Sequence, residues 1–311
     1  MDEMSLRSEM LRWASAGGRV LGDHARRMGR YVRGLLNSDG GFRGRGSRSD
    51  LYYTVFGLSI LVALDEPLPA REIAEYLRRF HDSGDLDLTH LGCLARCWAV
   101  LRTAAATGLL PEAALDDAAR AALARKVEAW RSADGAFAQD AGEKHGTVPG
   151  CFLAVGACED LSVSCGDTQA IARCVRSCQA EGGGLAIVPG EPIGSVPATA
   201  ASVRVLFTLG QPLEAAWGRW LREQCFQGGG FVVHPICPEP DLLSTAVALH
   251  ALEALGQSLG DDDRRRCLGF VRGLRTEEGG FRGHADPEPS DCEYTFYGLL
   301  ALGHLGGAHA D

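Results

Sequence analysis

One phrase occurs twice, some 240 residues apart, and it constrains the fold more than any other feature of the chain. Near the start the chain reads Gly40-Gly41-Phe42-Arg43-Gly44-Arg45, then Asp50-Leu51-Tyr52-Tyr53-Thr54-Val55-Phe56-Gly57-Leu58. Near the end it reads Gly279-Gly280-Phe281-Arg282-Gly283-His284. Past a Pro-rich spacer comes Asp291-Cys292-Glu293-Tyr294-Thr295-Phe296-Tyr297-Gly298-Leu299. An internal repeat sets the architecture before any local reading does.

The first glycine of the unit recurs at 40, 135, 183, 229 and 279, so the last three spacings are 48, 46 and 50 residues. The first spacing, 95, leaves room for a degenerate unit, visible as Asp85-Leu86-Asp87-Leu88-Thr89-His90-Leu91-Gly92. Six units result, at about 20–66, 70–108, 120–162, 168–210, 214–257 and 262–306, behind a short extra N-terminal helix or extension over 1–19. Aligned on its second helix, each unit leads with Asp50, Asp85, Thr147, Ser195, Asp241 or Asp291. Four residues on stands Thr54, Thr89, Cys151, Thr199, Thr245 or Thr295. The leading residues read as helix caps. Positions 0, +4 and +7 share a helix face, and small residues at +7, such as Gly57 and Gly298, would let a helix or a ligand approach closely. Helices are also expected from Asp50 to about Leu64, and at Leu123–Arg131, Thr168–Gln179, Ala215–Gln224 and Asp262–Leu274. Residues 5–36 carry helical periodicity as well.

Stacked α-hairpins of this period fit an open superhelix or a closed α/α toroid. An open stack needs polar capping repeats at both ends. Here the first and last units resemble each other most and neither looks like a cap. The expectation is therefore one all-α domain over 1–311, a toroid in which unit six meets unit one and the second helices line the centre.

Composition bounds the rest. Apolar residues make up 46% of 311, enough for a large core, and 31 basic against 40 acidic residues leave a net charge of −9. That balance argues against a nucleic-acid partner while leaving a local anion site open. Eleven cysteines, an odd number mostly in Ala/Leu-rich runs, read as small core hydrophobes in a reducing, cytoplasmic setting. The opening Met1-Asp2-Glu3-Met4-Ser5-Leu6-Arg7 is too polar for a secretory leader, and no apolar run is long enough for a membrane span.

The Gly-Gly-Phe loops, the period and the Asp291–Leu302 phrase resemble the prenyltransferase and squalene-cyclase repeat superfamily, nearest to the β subunit of protein prenyltransferases of the Rab geranylgeranyl transferase type. The resemblance covers about residues 20–306. It implies an α/α barrel of about twelve helices with an apolar central cavity for an isoprenoid chain, and a helical α-subunit-like partner. It also implies a zinc site, whose Asp falls on Asp241, whose Cys position is Leu243 and whose His position is Tyr294. Leu supplies no metal ligand. The family's diphosphate clamp falls on Pro235–Pro240 and Ser244, so its residue types are missing, while His145-Gly146 matches a His-Gly pair of the family in a shifted register. The cyclase branch's Asp-x-Asp-Asp is not matched: Asp85-Leu86-Asp87 runs on to Leu88-Thr89, and Asp261-Asp262-Asp263 opens an outer helix.

Three constellations remain. Arg43, Arg45, Arg48, Arg282 and His284 would meet if the ring closes and could hold a phosphate; alternatively Arg43 and Arg282 pair with Asp50 and Asp291. His234, Cys237, Asp241, His284, Asp291 and Cys292 could form a rearranged metal site, with Asp241, His234, Cys237 and Cys292 the candidate ligands; loop and cap roles are the alternative. Tyr53 and Tyr294 could face the cavity or pack in the core. The functional expectation is an isoprenoid or prenyl diphosphate bound in the centre. Asp241, Asp291 and Tyr294 would be catalytic, and Tyr53, Arg43, Arg45, Arg282 and His284 would bind substrate. The alternatives are a non-catalytic toroid that carries lipid or docks a partner, and a terpene-cyclase-like enzyme without the usual acid motif.

Overall fold

The computed structural model describes residues 5–81, 83–105 and 115–306. Met1–Met4 of the leader reading and 106–108, the end of the expected second unit, lie outside it. The described residues form a ring of helices. The inner layer is α3 (Leu51–Ala63), α5 (Leu88–Ala105), α7 (Val148–Leu161), α9 (Val196–Thr208), α11 (Leu242–Ala254) and α13 (Cys292–Gly306). Each inner helix packs on the next, and α13 packs back on α3, so the ring is closed. Outside run α2 (Asp23–Arg33), α4 (Ala70–Arg78), α6 (Asp117–Glu128), α8 (Thr168–Ser177), α10 (Ala215–Glu223) and α12 (Asp261–Gly273). No helix among the described residues is long and apolar enough to cross a membrane.

The repeated residues build the hairpin by a recurring set of bonds. The side chains of Asp50, Thr147, Ser195 and Asp241 each accept a backbone N–H in the first turn of the inner helix they cap. The +4 threonine locks the loop to that helix. Thr54 Oγ1 accepts the Phe42 N–H at 2.9 Å and donates to the Asp50 carbonyl at 2.6 Å. Thr245 does the same for Phe231 (2.9 Å) and Asp241 (2.6 Å), and Thr295 for Phe281 and Asp291. A Cβ at Gly57 or Gly298 would overlap the ring of Phe42 or Phe281. The small +7 residue therefore makes room for its own loop phenylalanine, rather than for a neighbouring helix or a ligand. In unit five the loop widens into a two-residue antiparallel ladder, β1 (Phe231–Val232) on β2 (Pro240–Asp241).

One expectation is corrected, and the helix expected ahead of unit one is located. In the degenerate unit the cap is Asp87, not Asp85: Asp87 accepts the His90 N–H at 2.8 Å and its carbonyl takes the Leu91 N–H. Leu91 thus stands where four of the other units have threonine and unit three has Cys151, and Thr89 falls on another face. The periodic stretch 5–36 is two helices, α1 (Leu6–Leu21) and α2, broken at Gly22, whose φ of +55° disfavours any side chain.

The break lets α1 leave the outer layer. It packs along α13, with further contacts to α3 and α7. A Cβ at Gly17 would overlap the Leu299 carbonyl, and one at Gly303 the Trp13 carbonyl. Arg7 reaches Thr103 near the end of α5 (3.0 Å) and Asp160 of α7 (3.0 Å); Glu9 pairs with Arg204 of α9; Arg12 approaches Glu253 of α11 at 3.5 Å. All these partners lie towards the C-terminal ends of inner helices, opposite the Gly-Gly-Phe loops. Helix α1 therefore closes one end of the ring.

Candidate functional site

Facing away from the outer helices are positions +2, +6 and +9 after each inner-helix cap, because 200°, 240° and 180° of helical turn oppose the 0, +4, +7 face. Exposure follows that geometry. At +2 stand Tyr52, Thr89, Pro149, Pro197, Leu243 and Glu293, all partly exposed; at +6 stand Phe56, Leu153, Ala201, Val247 and Tyr297, partly exposed, with Cys93 buried. At +9, Ser59, Gly156, Arg204, His250 and Leu300 are buried and only Arg96 is partly open. The ring thus holds a well, open for two layers below the loop-side mouth and shut at the third, where α1 crosses. Nine residues at ~1.5 Å rise set its depth at about 13 Å.

The wall is apolar and aromatic. Tyr52 and Phe56 meet edge to face at 5.2 Å, and Phe56 lies 5.7 Å from Tyr297 and 5.8 Å from Phe296. Glu293 is the one carboxyl on the +2 and +6 layers. It accepts the Tyr52 hydroxyl hydrogen at 2.6 Å. Burial pushes its pKa up, and the Tyr52 bond recovers only part of the shift. Burial likewise raises Tyr52 and Tyr297 above the ordinary phenol value. One layer below, Arg96 is tied to Asp160 at 2.9 Å.

The expected site residues gather at the rim. Asp291 is 2% exposed, caps α13 through the Tyr294 N–H (2.9 Å), and meets Arg45 Nε at 3.2 Å. Burial raises its pKa in spite of that guanidinium. The pair crosses the seam from unit one to unit six, with Glu288 also on Arg45 at 3.1 Å. Arg43 and Arg282 do not pair with Asp50 and Asp291: Arg282 reaches the Gly273 carbonyl, and Arg43 and Arg48 have no ion pair among the described residues. The basic cluster is therefore divided, because the one arginine that crosses the seam is neutralised by two carboxylates. Tyr294 lies 5.8 Å from the Arg45 guanidinium and 6.4 Å from the His284 ring, and burial pushes its pKa up to about 12. Tyr53 stands 5.5 Å from Tyr52, with its pKa raised by burial. Asp241 is occupied by the Ser244 N–H and hydroxyl, both at 2.7 Å.

For a metal the residues do not fit. Among the described residues no three His, Cys, Asp or Glu side chains converge on one point. Cys292 is buried, Cys237 contacts the Glu239 carbonyl, and Asp241 is engaged by Ser244, so these groups and His234 do not form a zinc site. The sequence reading missed Tyr52, Phe56, Glu293 and Tyr297. The signal was in the repeat itself: the residues two and six after each cap are those that the hairpin does not use.

The family profile described as the prenyltransferase alpha-alpha toroid domain matches residues 1–202 and 198–309. Among solved structures, Candida albicans protein geranylgeranyltransferase-I complexed with GGPP is similar at 12% identity, with 89% of each chain covered and a TM-score of 0.61. A type II terpene cyclase from Scytonema, in complex with geranylgeranyl dihydroxybenzoate, is similar at 11% identity over 94% of this chain and 98% of its own, with a TM-score of 0.62. A protein from Actinoplanes shares 16% identity over 93% and 99%, with a TM-score of 0.58. At these identities the likeness is one of fold. No curated protein sequence matches the chain.

Proposed function

The chain belongs to the prenyltransferase alpha-alpha toroid family, and from that premise we propose that the well binds an apolar isoprenoid chain and that Glu293 protonates a carbon–carbon double bond in it. The observation that carries this reading is a single carboxyl of raised pKa set among ring faces at the well's entrance. Burial raises the pKa of this carboxyl and so shifts it towards the protonated form that a proton donor needs. In the step, the Glu293 O–H bond breaks and a C–H bond forms at one alkene carbon, leaving positive charge on its neighbour. The faces of Tyr52, Phe56 and Tyr297 would stabilise that cation. The Tyr52 hydroxyl orients the carboxyl and stabilises the carboxylate left behind. Loss of a proton from the carbocation to that carboxylate restores the acid. Ligands in two fold neighbours, GGPP and geranylgeranyl dihydroxybenzoate, support the substrate class.

Prenyl transfer from a diphosphate is the second reading, with Asp241, Asp291 and Tyr294 at the site and Tyr53, Arg43, Arg45, Arg282 and His284 on the rim. It is favoured by Arg43 and Arg48, which keep no carboxylate partner. It is opposed by the engagement of Asp291 and Arg45 with each other and of Asp241 with Ser244.

The test offers the protein geranylgeraniol and, separately, geranylgeranyl diphosphate in D2O, and analyses products by mass spectrometry. Protonation predicts an isomerised or cyclised product carrying one deuterium from solvent. Glu293→Gln should cut its formation by roughly 100-fold or more while binding persists, and the rate should fall as pH rises through the Glu293 pKa, because only the protonated form donates. Unchanged turnover in Glu293→Gln, or product only with release of diphosphate, would overturn the proposal.

A further inference from the structure

Ten of the eleven cysteines play no part in the well, and the sulfurs are not evenly spread. Nine are buried, and Cys225 and Cys237 are partly exposed. Cys237 faces the Glu239 carbonyl. Cys225, just past the end of α10, has its sulfur 3.7 Å from that of Cys267 in the middle of α12. Cys225 is thus the one cysteine that both reaches solvent and has a second sulfur in contact.

We infer that Cys225 and Cys267 are a modification site, at which a peroxide joins them in a reversible disulfide. The surroundings favour the chemistry. Cys267 Sγ accepts the Gly230 N–H at 3.3 Å, and the contact with Cys225, the Gly230 bond and Arg266 hold its pKa below the ordinary thiol value against burial. The contact that lowers the Cys267 pKa raises that of Cys225, so in the first step the Cys267 thiolate takes the proton of the Cys225 thiol while the Cys225 sulfur attacks one oxygen of hydrogen peroxide. An S–O bond forms, the O–O bond breaks, and the departing hydroxide takes a proton to become water. In the second, the Cys267 thiolate attacks the Cys225 sulfur: an S–S bond forms, the S–O bond breaks, and a second water leaves. Two thiols and one peroxide give one disulfide and two waters. The bond would pin the Gly-Gly-Phe loop of unit five, whose Gly229 already packs against Arg266 and Cys267, to the outer helix of the next unit.

The buried thiols supply internal controls. Cys158 with Cys165, and Cys151 with Cys174 and Cys178, are also neighbouring sulfur groups, but each of these cysteines is buried, at most 8% exposed, and Cys237 is partly exposed without a sulfur partner. The experiment treats the folded protein with equimolar hydrogen peroxide, blocks remaining thiols with N-ethylmaleimide after denaturation, and maps peptides without reductant. The expected result is a Cys225–Cys267 linked peptide, lighter by two hydrogens and released by dithiothreitol, formed before any link among the buried groups. Cys225→Ser should abolish the link and leave Cys267 fully alkylatable. In Cys267→Ser, Cys225 should accumulate as a sulfenic acid trapped by dimedone. Sulfenic acid persisting on Cys225 in the wild-type protein, or links arising first among the buried sulfurs, would overturn the inference. Cys225→Ser, at a partly exposed position, keeps the test decisive if Cys267→Ser fails to fold.

Discussion

The two ends of the ring are held by opposite means. The mouth is built by repetition: Phe42, Phe231 and Phe281 are each locked by a threonine from their own unit, and each inner helix is capped by the residue that leads it. The floor is built once, by α1, through charges that find partners on four other helices. The first arrangement spreads the stabilisation over many small, similar bonds. The second concentrates it in a few buried ion pairs, each of which is costly to break.

Breaking the floor should therefore cost most. Arg204 is 3% exposed and pairs with Glu9, itself 8% exposed. Arg204→Met strands a buried carboxylate and should lower stability by roughly 3–5 kcal/mol, read from chemical denaturation. The double change Arg204→Met with Glu9→Leu should recover most of the loss. If the double variant is as weak as the single one, α1 is not held by this pair.

Acid should separate the two ends next. Under α1, His250 Nδ1 and His304 Nε2 are 3.2 Å apart, and burial followed by the nearby Arg204 lowers both pKa values, that of His304 to about 3. The unfolded chain takes up protons near pH 6.5 and the folded chain does not. Floor stability should thus be full above pH 6.5 and fall below it by about 1.4 kcal/mol per pH unit per histidine. At the mouth, Glu293 and Asp291 have raised values and contribute in the opposite sense, with stability present at low pH and lost as pH rises through their folded pKa. His250→Leu should flatten the loss between pH 6.5 and 5, measured by urea midpoints at each pH. An unchanged slope would show that these rings are protonated in the folded ring.

The mouth should be the more forgiving end. Thr245→Val removes the acceptor for the buried Phe231 N–H, and should cost about 2 kcal/mol in thermal or denaturant unfolding. A loss as large as that for Arg204→Met would erase the distinction between the ends.

The hairpins were legible because their cause is local. A threonine four residues past its cap, a glycine three further on and a loop phenylalanine about a dozen residues upstream of the threonine all meet within one unit, so the pattern recurs wherever the geometry does. The same logic misled in the degenerate unit, where Asp85 and Thr89 preserve the spacing but Asp87 makes the bond. The rim residues were found by likeness to a family, and the structure then showed Asp241 and Asp291 occupied by neighbours that spacing does not reveal.

By itself the sequence determined a closed ring of helical hairpins, since six like units with no polar terminal cap must cover one another's apolar faces. Only the tertiary structure decided what the inward faces enclose. The bond from Tyr52 to Glu293 spans 241 residues, and the contacts that lay α1 across the far end link Leu6 to Glu159 and Arg12 to Glu253. Such pairings leave no period in the chain, because each is made once, between residues brought together only when the ring has closed.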